Sequence, residues 1–201
     1  DEDTTKLMGT VLLAMLPALV ASTYIFGARV LLLAAVCIVA SVGFEWIYNM
    51  LAKKPQTISD LSAAVTGLLI AFNVPSSFPL WMAVIGCFVA IVVIKQLYGG
   101  IGRNFVNPAI TARIFLFISF AAQMTTWPLP RMAAKTDAVT GPTPLALVAG
   151  GASKSDLPSN MDMFLGFTGG SLGEVSALAI LVGGLFLIWR KVISPAIPCA
   201  F

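Results

Sequence analysis

Ile58-Ser59-Asp60-Leu61-Ser62-Ala63-Ala64-Val65-Thr66-Gly67-Leu68-Leu69-Ile70-Ala71-Phe72-Asn73-Val74-Pro75-Ser76-Ser77 is the stretch on which the fold turns. It opens like a helix, with Ser59 or Asp60 as the cap and an apolar run from Leu61 to Phe72 behind it. The run then stops at Asn73-Val74-Pro75. About 12 residues make roughly 18 Å of helix, short of a hydrocarbon core about 30 Å thick. Two readings fit. Short, interrupted segments in membrane proteins end at ligand or ion sites, with the half-helix end pointing into a cavity. Alternatively, the helix is tilted and neighbouring segments bury its polar end.

The rest of the chain sets the scale for that anomaly. Its 201 residues are 58% hydrophobic and 10% charged, against about 25% charged in a soluble domain. Mean hydropathy is +0.94. The apolar residues fall in blocks: Leu7–Phe26 with Pro17 inside, Val30–Tyr48, Leu80 to about Leu97, Asn107-Pro108 through Met124, and Leu172–Trp189. Blocks of this kind mark an integral membrane protein. With Leu61–Phe72 they make about six transmembrane segments, one short or broken, in an all-α fold. Pro17 frees a backbone carbonyl and predicts a kink in the first. The short Gly27-Ala28-Arg29 link predicts an antiparallel hairpin of the first two.

Basic residues set the orientation. With a cytoplasmic N-terminus the inside carries Lys6, Lys53, Lys54, Lys95, Arg103, Arg190 and Lys191; the outside carries Arg29, Arg131, Lys135 and Lys154. Three of the outer bases share one long loop, which sharpens the bias. Residues 125–170 then face away from the cytoplasm, between membrane helices at 1–124 and a last helix at 171–201. The acidic start, Asp1-Glu2-Asp3, is unlike a signal peptide.

Composition also excludes chemistry. There is no histidine, so His-based acid–base catalysis, the usual zinc sites and His-ligated haem are ruled out. Cys37, Cys87 and Cys199 are far apart without a C-x-x-C spacing, and read as small buried hydrophobes rather than cluster ligands. A net charge of +3 without a basic cluster argues against nucleic acid.

The intramembrane charges are few, Glu45, Asp60, Arg113 and Glu174, and all lie near predicted helix ends. A carboxylate at membrane depth is a functional candidate, so Asp60, Glu45 and Glu174 are candidates for an ion path. Capping or an interfacial position explains them equally well, since helix N-termini favour negative charge.

Two polar motifs remain. Gly99-Gly100-Ile101-Gly102-Arg103-Asn104-Phe105-Val106-Asn107-Pro108 combines glycines that permit tight turns or close ligand approach with donors and acceptors on Arg103, Asn104 and Asn107. It fails the G-x-G-x-x-G dinucleotide pattern. A structural turn and a cradle for a phosphate or a flat ring both remain open. The loop at 125–170 is far longer than an ordinary connection. Trp127 is placed at the interface, and Met161–Phe167 lies flat on the membrane. Within the loop, Thr143 sits between Pro142 and Pro144. The following proline biases it to an extended backbone, exposing its hydroxyl to a modifying enzyme. On spacing alone, Thr140-Gly141-Pro142-Thr143-Pro144 is also an ordinary turn.

Taken together and in order, several stretches resemble the family shared by the RnfD-type membrane protein of the Rnf complex and its counterpart in the Na⁺-translocating NADH:quinone oxidoreductase (Nqr). They are Lys53-Lys54-Pro55, Ile58–Ala63, Thr66–Leu69, Leu97–Asn104, Asn107–Ala109, Asp137–Leu145 and Gly169–Ala177. The resemblance implies FMN joined by a phosphoester to a Ser or Thr of an Asp-x-x-Ser/Thr-Gly-Ala-Thr/Ser motif. Here that motif is Asp137, Thr140, Gly141 and Thr143, with Thr143 the acceptor and Pro142 where alanine is usual. The family also implies a flavin transferase acting outside the cytoplasm, and a non-covalent riboflavin, for which Gly99, Gly100, Gly102, Arg103, Asn104 and Asn107 are candidate contacts. It implies an inverted-repeat, urea-channel-like fold of which this chain resembles the first part, the family's C-terminal half being absent. The implied activity is electron transfer between ferredoxin and NAD⁺ coupled to Na⁺ or H⁺ translocation. It takes place in a complex of membrane and peripheral subunits in the inner membrane. Alternatives are the quinone-reducing Nqr branch, a non-redox channel or transporter, and a purely structural component.

Overall fold

The computed structural model describes residues 4–130, 140–153 and 157–200, and the regular structure among them is helical, with one isolated β-bridge. Two long helices come first: α1 (Thr4–Phe26), which continues through Pro17, and α2 (Arg29–Leu51). Gly27 turns the chain between them. Its φ of 94° is a backbone that glycine adopts without Cβ strain. Its N–H donates to Thr23 O at 2.8 Å and its carbonyl accepts from Val30 N at 3.1 Å. The expected hairpin forms, and both helices extend beyond their apolar blocks.

The broken segment is α3 (Ser62–Phe72), preceded by a 3₁₀ turn at Ile58–Asp60. Asp60 holds its start: Oδ1 accepts from Ser62 N at 2.8 Å and from Ser62 Oγ at 2.5 Å. Leu61, between them, takes a left-handed φ of 61°. Next, α4 (Leu80–Phe88) passes directly into a π-helical stretch, Val89–Gln96. α5 (Pro108–Ser119) starts where Asn107-Pro108 predicts, with Asn107 Oδ1 accepting from Ala109 N at 3.0 Å and Ile110 N at 3.3 Å.

Two later boundaries move as well. The fifth segment breaks at Phe120 (φ −134°, ψ 48°), whose ring packs edge-on against Trp81 at 5.6 Å, before the short α6 (Ala121–Met124). The last segment, α9 (Ala177–Trp189), begins at Ala177 rather than Leu172. The intervening residues have other partners. Leu172 N and Gly173 N donate to Val74 O (3.3 Å) and Phe72 O (2.9 Å), and Ser22 Oγ donates to Leu172 O. Carbonyls left unpaired by the end of α3 are thereby satisfied, and Ser176 caps α9 instead. The long connection holds α7 (Pro144–Ala149) and α8 (Asn160–Leu165), and α10 (Ala196–Ala200) follows α9. The side chain of Cys199 lies outside the described residues; Cys37 and Cys87 are buried, as expected.

α2 is central, packed on α3 and α4, while α1 packs on α9. Glycines set both close approaches. A Cβ on Gly67 would lie 2.6 Å from Cys37 O, and one on Gly183 would lie 2.3 Å from Ala14 O. Small residues at such crossings let helix backbones touch, as membrane helices commonly do. The core joins Val30, Leu33 and Cys37 to Leu68, Ala71, Ala83, Cys87 and Leu116. The outer faces are apolar too: Val20, Val39, Ile118 and Leu185 are all more than 60% exposed. A water-soluble monomer does not display apolar surface on this scale. α1 and α2 are long enough to cross a bilayer; the helical runs Ser62–Phe72, Leu80–Gln96, Pro108–Ser119 and Ala177–Trp189 are apolar but shorter. This is a helical membrane protein.

Candidate functional site

Thr143 caps α7. Its backbone is extended (φ −68°, ψ 157°), as the following proline requires. Its Oγ1 accepts from Ala146 N at 3.2 Å. The chain reaches it through a short pairing of Pro128 with Thr140, tied by Gly141 N donating to Trp127 O at 3.1 Å. Thr140 is exposed and Thr143 half-buried. Around them opens a cleft of about 510 Å³, walled by Trp127, Thr125, Thr126, Pro142 and Ala146. That volume lies within the range of small-molecule pockets. The cleft presents an indole, several hydroxyls and the Thr143 side chain, a set suited to a flat, polar-edged ring tethered at Oγ1. Of the attachment motif, Thr140, Gly141 and Thr143 come together; Asp137 lies outside the described residues. Met161–Leu165 is helical, within α8.

A second polar site lies inside the bundle. Glu45 of α2 is fully buried. Its Oε2 accepts from Lys95 Nζ at 2.8 Å; its Oε1 accepts from Gln96 Nε2 at 2.9 Å and from Thr57 Oγ1 at 2.5 Å. Lys95 also donates to Ser62 Oγ at 2.6 Å, which in turn donates to Asp60. Asn49 Nδ2 donates to Thr57 Oγ1 at 3.1 Å. Two of the three expected acids, Glu45 and Asp60, therefore belong to one network that runs from a half-buried carboxylate to a fully buried one. An ion pair without water is held only when each remaining lone pair and proton has a partner, and here each carboxylate oxygen of Glu45 has one.

Glu174 stands apart. It lies in the turn before α9, where Oε2 accepts from Ser171 Oγ at 2.5 Å and Oε1 accepts from Arg113 Nη1 at 3.2 Å. Arg113 Nη1 also donates to Asn73 Oδ1 at 3.0 Å. The broken end of α3 is thus tied to α5 and to the turn before α9. Its carbonyls meet backbone N–H groups rather than an open cavity.

The glycine motif forms a turn built from its own polar groups. Gly99, Gly100 and Gly102 all have positive φ (108°, 91° and 78°). Gly100 N donates to Lys95 O at 3.0 Å. The Asn104 amide reaches three carbonyls, Lys95 O (3.3 Å), Ile94 O (3.3 Å) and Gly100 O (3.2 Å), which assigns the amide nitrogen, the donor, to that side. Asn104 therefore closes the π-helical stretch and Asn107 opens α5. The Arg103 side chain folds over Gly99, where an added Cβ would lie 2.9 Å from its Cδ.

Sequence reasoning does not find Lys95, Gln96, Ser62 and Thr57 as a site; it counts Lys95 only as a loop base. The usable signal is a lysine within one turn of an apolar run, facing a chain whose other long apolar block holds a glutamate. Likewise, Trp127 is expected at the interface and is found beside Thr143.

The sequence profile of the NQR2, RnfD, RnfE family matches residues 1–201. The chain is 46% identical over 200 residues to the D-type component of the Na⁺-translocating ferredoxin:NAD⁺ oxidoreductase complex of Acetobacterium woodii, covering 98% of this chain and 62% of the relative. It is 39% identical over 205 residues to the proton-translocating counterpart of Clostridium ljungdahlii, with the same coverage. It is 33% identical over 232 residues to the D-type component of the ion-translocating oxidoreductase complex of Mannheimia succiniciproducens, covering 98% of this chain and 66% of that one. The chain spans less than two thirds of the length of these relatives. A profile match from the first residue to the last, on a helical apolar bundle with the expected polar motifs, places this chain in the NQR2, RnfD, RnfE family.

Proposed function

We propose that this chain is the flavin-bearing part of the RnfD-type membrane component of an ion-translocating ferredoxin:NAD⁺ oxidoreductase, with FMN esterified to Thr143. The observation that carries the proposal is that Thr143 lines a cleft of about 510 Å³ together with Trp127, Thr125 and Thr126. The names of the relatives support the complex and its reaction. The protein is multi-pass in the inner membrane, with about six segments forming one part of an inverted-repeat fold. Its N-terminus is cytoplasmic and the Thr143 loop extracytoplasmic, where a flavin transferase reaches it. The excess of Lys and Arg at the other end supports that orientation.

In this reading the protein supplies position and surroundings. Thr143 fixes the point of attachment. Its Oγ1 keeps a lone pair for Ala146 N, so the cap of α7 survives esterification. Trp127 offers an aromatic face, and the Pro128–Thr140 pairing holds the cleft wall in register. Bound FMN supplies the electron-accepting and electron-donating chemistry. Ferredoxin and NAD⁺ bind other members of the complex.

Riboflavin is proposed near the Gly99–Asn107 turn. There Arg103 and the glycine backbone remain as contacts, since Asn104 and Asn107 are engaged in the turn. Ion passage is proposed along Asp60 and Glu45, with Glu174 near the opposite end of α3. The test is Thr143→Ala in the full-length protein, read by in-gel flavin fluorescence and intact mass. Loss of both fluorescence and the FMN mass increment is expected. Flavin that persists in this variant places the attachment elsewhere. A purified wild-type complex without visible flavin absorbance favours the channel reading instead.

A further inference from the structure

α1 and α9 pack together, with Gly183 set against Ala14. Lys6 and Arg190 each lie about 11–12 Å of helix beyond that contact, counted at 1.5 Å per residue. They come from opposite ends of the chain, yet both line one groove of about 560 Å³. The rest of its lining is Gly9, Thr10, Leu12, Leu13 and Leu16. Leu13 and Leu16 are exposed, and a Cβ on Gly9 would meet only Leu61 Cδ1, at 3.8 Å. No carboxylate lines the groove among the described residues, and neither cation is in an ion pair there. Trp189, 76% exposed beside Arg190, is a side chain that settles at the headgroup level of a bilayer.

A largely apolar open groove whose lining includes these two cations matches one class of molecule on both counts. The paired positive charge calls for an anionic phosphate, which a guanidinium grips in fork geometry. The leucine wall calls for an acyl chain. Basic pockets between membrane helices take anionic headgroups for this reason. We propose that the α1–α9 groove seats one anionic phospholipid, its phosphate between Lys6 and Arg190 and a chain along Leu12, Leu13 and Leu16. The site is independent of the flavin at Thr143.

The experiment uses the full-length protein in its complex, delipidated in mild detergent and given equal amounts of phosphatidylglycerol and phosphatidylcholine. Retained lipid is read by native mass spectrometry. Wild type keeps phosphatidylglycerol over phosphatidylcholine by about tenfold or more, as two cations beside an anionic headgroup warrant. Lys6→Gln with Arg190→Gln brings the ratio to about one. Gly9→Leu keeps both charges but fills the groove, and it also lowers retention. Lys6→Arg leaves the preference intact, which separates loss of charge from misfolding. Equal retention of the two lipids by wild type overturns the proposal. So does displacement by inorganic phosphate, which marks a free-anion site, or a protein segment found seated in the groove.

Discussion

Lys95 Nζ lies 2.8 Å from Glu45 Oε2, with the two side chains 3% and 1% exposed. The pair joins α2 to the end of the π-helical stretch, and Thr57, Ser62 and Gln96 satisfy the remaining groups around it. Breaking such a pair on one side leaves a charge with no water to take it, at a cost of about 3–5 kcal/mol.

Lys95→Met alone therefore destabilises the protein by about 3–5 kcal/mol, and Glu45→Gln with Lys95→Met recovers most of the loss. Denaturant titration of the purified protein in detergent gives both values. A Lys95→Met protein as stable as wild type means that Glu45 is not held as a charge there. The same double variant separates architecture from transport. If it folds yet its complex still moves ions at the wild-type rate, Glu45 is a structural residue.

Gly183 and Gly184 are neighbours with opposite expectations. Alanine at 183 drives a Cβ to within 2.3 Å of Ala14 O, whereas alanine at 184 meets nothing within 4 Å. Gly183→Ala must separate α1 from α9 and costs on the order of 1–3 kcal/mol. Gly184→Ala is neutral or stabilising by roughly 0.5–1 kcal/mol. Melting temperatures of the two variants check the pair, and a milder effect at 183 than at 184 contradicts the packing described.

Thr143→Ser retains a hydroxyl on the same extended backbone and is expected to keep flavin occupancy. Pro142→Ala introduces the residue usual in the resembled motif and leaves occupancy equal or higher. Intact mass gives the flavinylated fraction in each case. A fall in Pro142→Ala means the rigid backbone on that side of Thr143 is itself required.

Asn104→Ala removes the donor to the carbonyls of Ile94, Lys95 and Gly100, and Asn107→Ala removes the cap of α5. Each costs about 1–2 kcal/mol. If these side chains serve the turn alone, riboflavin content in the purified complex stays at wild-type level while thermal stability falls. Loss of riboflavin with unchanged stability assigns them to the ligand.

The apolar blocks make the helices legible because burial in a bilayer needs long uninterrupted runs, and the turn of the α1–α2 hairpin follows from them, although both helices run past the blocks at their outer ends. Cap chemistry is readable at Asn107-Pro108, since it is local; at Thr143-Pro144 the sequence predicts the extended backbone before the proline but not the short helix that Thr143 caps. The late start of α9 is not readable. Leu172 and Gly173 fit an apolar helix by composition, but their N–H groups are drawn to carbonyls at the end of α3, far away in the chain. The Glu45–Lys95 pair escapes for the same reason. Each residue looks like a helix-end charge until α2 and the π-helical stretch lie side by side. Thr143 is marked by a motif, but the Trp127 wall beside it comes only from the pairing of Pro128 with Thr140.

The short α3 also constrains how the protein is made. When it leaves the ribosome, the carbonyls of Phe72 at its end and of Val74 just beyond it lack their later partners, because the segment that will satisfy them has yet to be translated. A lone helix of that length cannot rest stably in lipid. It must wait at the translocon or beneath α2 until Leu172 and Gly173 emerge, so a nascent chain stalled before them should be an easy target for membrane quality-control proteases.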